Sequence, residues 1–367
     1  MFCTVECGFA PRDPFSISPT VLFDDIEMTA KRTRTISVGS LARSQSDRKD
    51  RERNGPIQRK MSIRLRSVHP AFAIFCGLFL VAEIAFLVRG DKGDFVQTLA
   101  EAAIFGIFAL LTYHFTAKSE SAPAPTQPKP IIRQALQVGL CIAVFVMSTF
   151  LTDGRWNSSG SYLGPSPHIA WYQLWTIITG PADWFIMHVV RSPSIALGLS
   201  NLFNDVVIIG VALLLLGVPL RELGFYQFAQ GAWKVLVTWL IIPIGFFVLW
   251  VAIGRVSVPG LLSILFRNLL QNGFSEEFLW RGAIFGRLRT IFTDQWALLI
   301  QALAFGLWHF GPDMGGKHPD IVLGVAAMIA GQATFGYAMG FVYLRTRNLL
   351  VPTLFHLAFD SIGAIIG

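Results

Sequence analysis

Long apolar blocks alternate with short polar runs along this chain. The blocks cover 70–88, 95–116, 136–151, 197–218, 235–254, 261–286, 296–310, 321–344 and 349–366. Most have the length of about 17–25 residues that a helix needs to cross a bilayer, and 136–151 is short for it. The pattern predicts an all-α fold, a polytopic transmembrane helical bundle of about eight spans. A further block, 169–190, reads two ways. Trp171, Tyr172, Trp175 and Trp184, with a break at Gly180-Pro181, suit an interfacial or re-entrant segment as well as a span. Between the blocks, the Pro-rich stretch 118–130 reads as an extended linker, 153–168 as a polar loop and 311–320 as a Gly/Pro/Asp loop. Arg221 begins a short amphipathic element, Pro243 predicts a kink, and the glycines of 321–344 allow close helix approach. The chain divides into a polar tail over 1–66, N-terminal membrane helices and linkers over 67–194, and a C-terminal core over 195–367.

Composition agrees with this reading. Hydrophobic residues make up 53% of the chain and charged residues only 14%, against about 25% charged in soluble domains. The net charge is +7, but the first 66 residues alone hold 13 Lys/Arg against 8 Asp/Glu. The excess therefore speaks to orientation in the membrane and not to nucleic acid. With the tail, 118–133, Arg221, Arg287, Arg289, Arg345 and Arg347 in the cytoplasm, the positive-inside rule is met if 169–190 does not fully cross. The tail is too polar to fold alone. Met61, just before Ser62-Ile63-Arg64-Leu65-Arg66 and the first apolar block, is a second candidate start. Cys3, Cys7, Cys76 and Cys141 form neither a disulfide framework nor a metal knot. Asn157-Ser158-Ser159 is a glycosylation sequon that matters only in a eukaryotic lumen. The membrane is a plasma or inner membrane if the source is bacterial, and endoplasmic reticulum if eukaryotic.

The candidate chemistry is what breaks the apolar pattern. An ionised side chain inside a span costs several kcal/mol and is by default a functional candidate. Ser275-Glu276-Glu277-Phe278-Leu279-Trp280-Arg281-Gly282 puts two carboxylates and an arginine in one block. Glu277 and Arg281 share a helix face and can pair, while Glu276 points about 100° away and needs another use. His309 follows in the next block, and His356 and Asp360 share a face in the last. Glu276, His309 and His356 are the types that general acid–base work on a water needs. A carboxylate in an apolar cavity is a stronger base than in water, and desolvation strengthens any hydrogen bond offered to a developing oxyanion. Glu101 and Asp205 stand alone, and Asp205 beside Asn204 reads as a packing group. Straight helices would hold His309 and His356 at different depths, so tilt, a dipping 311–320 loop or a different topology has to bring them level.

Three strings, Glu276-Glu277-x-x-x-Arg281, Phe305-x-x-x-His309 and His356-x-x-x-Asp360, resemble the motifs of the CPBP intramembrane proteases. These are the CAAX prenyl endopeptidases of the Ras-converting type, with bacterial relatives linked to bacteriocin processing and self-immunity. The resemblance covers about 195–367. It implies an eight-helix-like core with a conical cavity, and Glu276 as general base on water, assisted by His309. It also implies His356 and residue 360 as oxyanion stabilisers, and Glu277 with Arg281 as a structural lock. The chain departs at 360, where the eukaryotic CAAX enzymes resemble Asn. An Asp donates a hydrogen bond only when protonated, so Asp360 orients His356 or binds metal instead.

The family was long described as metalloproteases, and Glu276, His309, His356 and Asp360 are candidate zinc ligands. No HExxH string is present, and a metal-free glutamate mechanism is favoured. The expected partners are the lipid bilayer and a hydrophobic or prenylated protein or peptide substrate. Two readings compete with the enzyme: a non-enzymatic immunity or scaffold protein, and a proton-coupled transporter. No inverted repeat supports transport.

Overall fold

A computed structural model describes residues 68–127, 130–152, 170–316 and 320–366. The tail with Cys3 and Cys7, and the loop with Asn157, lie outside the described residues. The rest is helical: α1 Pro70–Arg89, α2 Lys92–Phe115, α3 Ile131–Thr152, α4 Ala170–Val189, α5 Pro193–Leu215, α6 Ala232–Ala252, α7 over 258–288, α8 Asp294–Gly316, α9 Ile321–Thr346 and α10 Leu350–Ile366. Among the described residues the only β contact is an isolated bridge between Phe225 and Asn348. Five helices, α1, α2, α5, α6 and α9, are long and apolar enough to cross a membrane, and α10 and 131–147 of α3 are shorter apolar helices.

Local chemistry sets the helix ends. Pro70 opens α1 behind His69, whose Nδ1 accepts from Ala71 N, and Gly90 closes it at φ 78°. Asp91, Ser257 and Asp320 cap α2, α7 and α9 with side-chain oxygens, satisfying amides that a helix start leaves unpaired. Two expectations are corrected. Gly180-Pro181 does not break α4, which continues through Pro181. The 311–320 loop is instead helix as far as Gly316. In both places proline removes one intrahelical hydrogen bond, a loss that membrane helices tolerate when their neighbours support them.

α7 and α9 sit at the centre. Trp239, Trp280, Phe285, Phe305 and Tyr343 are buried in one aromatic-rich core joining α6, α7, α8 and α9. Small residues let α8 and α9 touch: a Cβ on Gly306 would lie 2.7 Å from the Met328 carbonyl oxygen. π-helical turns interrupt α5 at Leu202–Ile208, α7 at Leu269–Gly273 and Phe278–Phe285, and α9 at Met328–Ala333. Such turns re-aim side chains and are frequent at functional sites.

Among the described residues, the linker after α2, the element at Arg221, and Arg287, Arg289, Arg345 and Arg347 gather at one end of the bundle. The Pro-rich stretch is no free spacer there but a strap across the helix ends. Ala122 N donates to Leu344 O and Ser119 Oγ to Gln230 O. Arg289 Nη2 holds Ala122 O at 2.7 Å, and Arg345 holds Thr116 and Ser121. The element at Arg221 is a short 3₁₀ turn, Leu220–Leu223, whose Glu222 is turned inward.

Candidate active site

The double glutamate stands on the single α-helical stretch Phe274–Glu277 between the two π turns of α7. Its π carbonyls are partly satisfied from within: Ser275 Oγ donates to Leu270 O at 2.5 Å. Gly282 lets the helix pass the Leu220–Leu223 turn, since a Cβ there would lie 2.6 Å from Leu223 O.

This close approach also resolves the depth problem. Leu349 N donates to Gly224 O at 3.0 Å, and Leu349 packs over Gly282. α10 therefore starts level with Gly282, about 9 Å along α7 from Glu276. His356, about 10 Å beyond Leu349, comes level with Glu276. His309 reaches the same place because α8 does not end at it.

Four of the nominated residues converge. The side chain of Glu276 is 9% exposed, and its Oε2 lies 3.9 Å from Nε2 of both His309 and His356. The buried Oε2 has no hydrogen-bond partner. Asp360 Oδ2 is 3.6 Å from His356 Nε2. Each imidazole is oriented from behind. His309 Nδ1 is 2.9 Å from Phe305 O, and since a carbonyl only accepts, Nδ1 carries the proton. A neutral His309 ring then presents the Nε2 lone pair to Glu276. His356 Nδ1 meets Glu277 Oε1 at 2.8 Å. Phe305 and Trp308 pack on the His309 ring and Phe335 on His356.

The remaining two nominated residues form the support. Arg281 Nη1 donates to Glu277 Oε1 at 2.9 Å, with both side chains fully buried. Arg281 Nη2 reaches Gly336 O, which also accepts from Gln301 Nε2, and the guanidinium lies 4.8 Å from the Phe305 ring centre. One carboxylate oxygen of Glu277 thus ties α7 to α10, and Arg281 ties α7 to α9. Among the described residues, no three His, Cys, Asp or Glu side chains form a group that could hold a metal ion.

Reading the sequence missed two neighbours. Asn272 Nδ2 donates to Asp360 Oδ2 at 2.7 Å; its signal was a polar residue four positions before Glu276 in an apolar block. Asp205 lies on the π turn of α5 that packs against Phe274–Glu277. Glu101, by contrast, accepts from Gln97 on its own helix.

No curated protein and no solved structure matches the chain significantly. Residues 258–362, which carry all of the motif residues, match the family model described as type II CAAX prenyl endopeptidase Rce1-like, which supports a CPBP-family intramembrane protease.

Proposed function

We propose that the protein is an intramembrane endopeptidase in which Glu276 activates water against a peptide bond near the C-terminus of a membrane-associated substrate. One observation carries this reading: a buried carboxylate oxygen, otherwise unpartnered, facing two imidazole Nε2 atoms at 3.9 Å each. That separation is too long for a hydrogen bond and suits one bridging oxygen.

Water bound there gives a proton to Glu276 while its oxygen bonds to the scissile carbonyl carbon. His309 Nε2 accepts the second water proton as a hydrogen bond and aims the lone pair. The carbonyl π electrons move to oxygen, and His356, protonated on Nε2 and held by Glu277, donates to that oxyanion. Collapse breaks the C–N bond, and Glu276 returns its proton to the leaving nitrogen. Asp360 orients His356 and stabilises its cationic form, and the Glu277–Arg281 pair holds α7 in register. The bilayer is the first partner, and a prenylated C-terminal peptide is the substrate class that fits the family of the domain.

The test uses purified full-length protein in lipid and a panel of prenylated and unmodified hydrophobic peptides. Cleavage by the wild type that Glu276→Gln lowers by about 10²–10⁴-fold, at equal folded yield, supports the reading. Equal cleavage by both removes Glu276 from the mechanism. A cellular phenotype that survives Glu276→Gln, with no peptide cut, means an immunity or scaffold role. Reversible loss of cleavage on chelation recasts Glu276, His309, His356 and Asp360 as zinc ligands.

A further inference from the structure

α7 and α10 run antiparallel, and their facing side chains pair in order. Asn268 Nδ2 meets Ser361 Oγ at 3.2 Å, Asn272 Nδ2 meets Asp360 Oδ2 at 2.7 Å, and Glu277 meets His356. The middle pair is unbalanced. An ionised Asp360 only accepts, so Asn272 must turn its NH₂ group, not its oxygen, toward it. That nitrogen carries two hydrogens. One is used on Asp360, and among the described residues no protein group takes the other. Asn272 is partly buried and stands one turn before Glu276 on the same helix. Its partner oxygen is the one 3.6 Å from His356 Nε2. The spare N–H is therefore one side chain away from the imidazole edge that faces Glu276.

Hydrolysis places a negative charge on the carbonyl oxygen. Glu276 keeps the proton it takes from water for the leaving nitrogen, an ionised Asp360 only accepts, and His356 donates from Nε2 only when protonated, so a neutral amide donor has a place here. We propose that Asn272 is a catalytic residue, its second amide N–H donating to the oxyanion, and that Asp360 is the positioning residue that holds the amide in place. This rests on the endopeptidase reading. As the water oxygen bonds to carbon and its proton passes to Glu276, the carbonyl electron pair comes to rest on an oxygen bonded by both Asn272 and His356. Neither donor loses its proton, and the C–N bond then breaks with Glu276 protonating the nitrogen.

The experiment measures kcat, KM and inhibitor affinity on the full chain in lipid. Removing one oxyanion donor costs about 10²–10³-fold in kcat, and Asn272→Ala is expected to show that loss with KM near wild type. A peptide phosphinate, which mimics the tetrahedral oxyanion, should bind more weakly by a similar factor, while an uncleavable substrate analogue binds as before. If Asn272→Ala lowers folded yield, the exchange variant Asn272→Asp/Asp360→Asn decides. It restores one amide to the pair and should exceed Asn272→Asp by at least about tenfold in kcat, within the size of one donor's contribution. Wild-type kcat in Asn272→Ala overturns the assignment. So does an exchange variant no better than Asn272→Asp, or equal weakening of the phosphinate and the substrate analogue. If the wild type cuts peptides and Glu276→Gln does not, those results bear on Asn272 alone. If the wild type cuts nothing, the endopeptidase reading falls and takes this one with it.

Discussion

The Arg287–Glu222 cluster at the end of the bundle and the Glu276 cluster further along α7 both bury a carboxylate, at 2% and 9% side-chain exposure, yet they are finished differently. Arg287 Nη1 meets Gln137 Oε1 and Nη2 meets Glu222 Oε2, each at 3.0 Å, and Glu222 Oε1 accepts Thr126 N at 3.1 Å. Both oxygens of that carboxylate are used, and three separate segments are fastened to α7. Glu276 is left with an oxygen that faces two imidazoles and bonds neither. The Glu222 carboxylate is closed by its neighbours, whereas the Glu276 carboxylate is held partly open, and a buried polar atom without a partner costs stability. The Glu277–Arg281 pair, one residue away from the open group, is closed only in part: Glu277 Oε1 is shared by Arg281 and His356, while Glu277 Oε2 and Arg281 Nε have no partner.

The comparison is broken most directly by removing the open charge. Glu276→Gln should lose nearly all cleavage while its thermal midpoint in lipid stays at or above that of the wild type. A fall in the midpoint of several degrees would mean that Glu276 is also structural. Removing one partner of a buried ion pair should do the reverse. Arg287→Ala and Arg281→Ala each take the arginine from a buried carboxylate, a loss that costs about 3–5 kcal/mol where no other cation remains, and Glu277 keeps only His356. Folded protein recovered from membranes should drop sharply for both. Normal yield of Arg281→Ala with lost cleavage would move Arg281 from support to site.

The parts of this arrangement that the sequence revealed are those that contradict their surroundings. Glu276, His309 and His356 are conspicuous because each is polar within an apolar block, and hydropathy placed those blocks on helices. The partners that close the other cluster are harder to see. Gln137 lies 150 positions from Arg287, and Thr126 sits in a stretch whose prolines suggest a free linker. Asn272 and Asp360, 88 positions apart, pair only once α7 and α10 are antiparallel and level. The π turns that frame Glu276 have no sequence code of their own, because the extra residue in each is accommodated by packing and by groups such as Ser275 Oγ. Pro181 and Pro312 misled for a related reason: proline predicts a missing hydrogen bond, and the surrounding helices decide whether that ends the helix.

The smallest expected effect comes from a charge pair that is neither open nor buried. Arg89 at the end of α1 lies 3.2 Å from Asp320 at the start of α9, with side chains 48% and 34% exposed. Water already solvates both, so the pair is worth about 0.2–1 kcal/mol and is weakened further by salt. Asp320 has a second duty, since its Oδ1 accepts from Val322 N at 2.7 Å and caps α9. Losing a cap costs about 0.5–2 kcal/mol, and this bond is short-ranged and insensitive to ionic strength. Arg89→Ala should therefore lower stability slightly at low salt and not at all in high salt. Asp320→Ala should lower it more, and at every salt concentration. Equal, salt-dependent losses for both variants would make the ion pair the main contribution of Asp320, and exposure would then be a poor guide to which charges in this bundle matter.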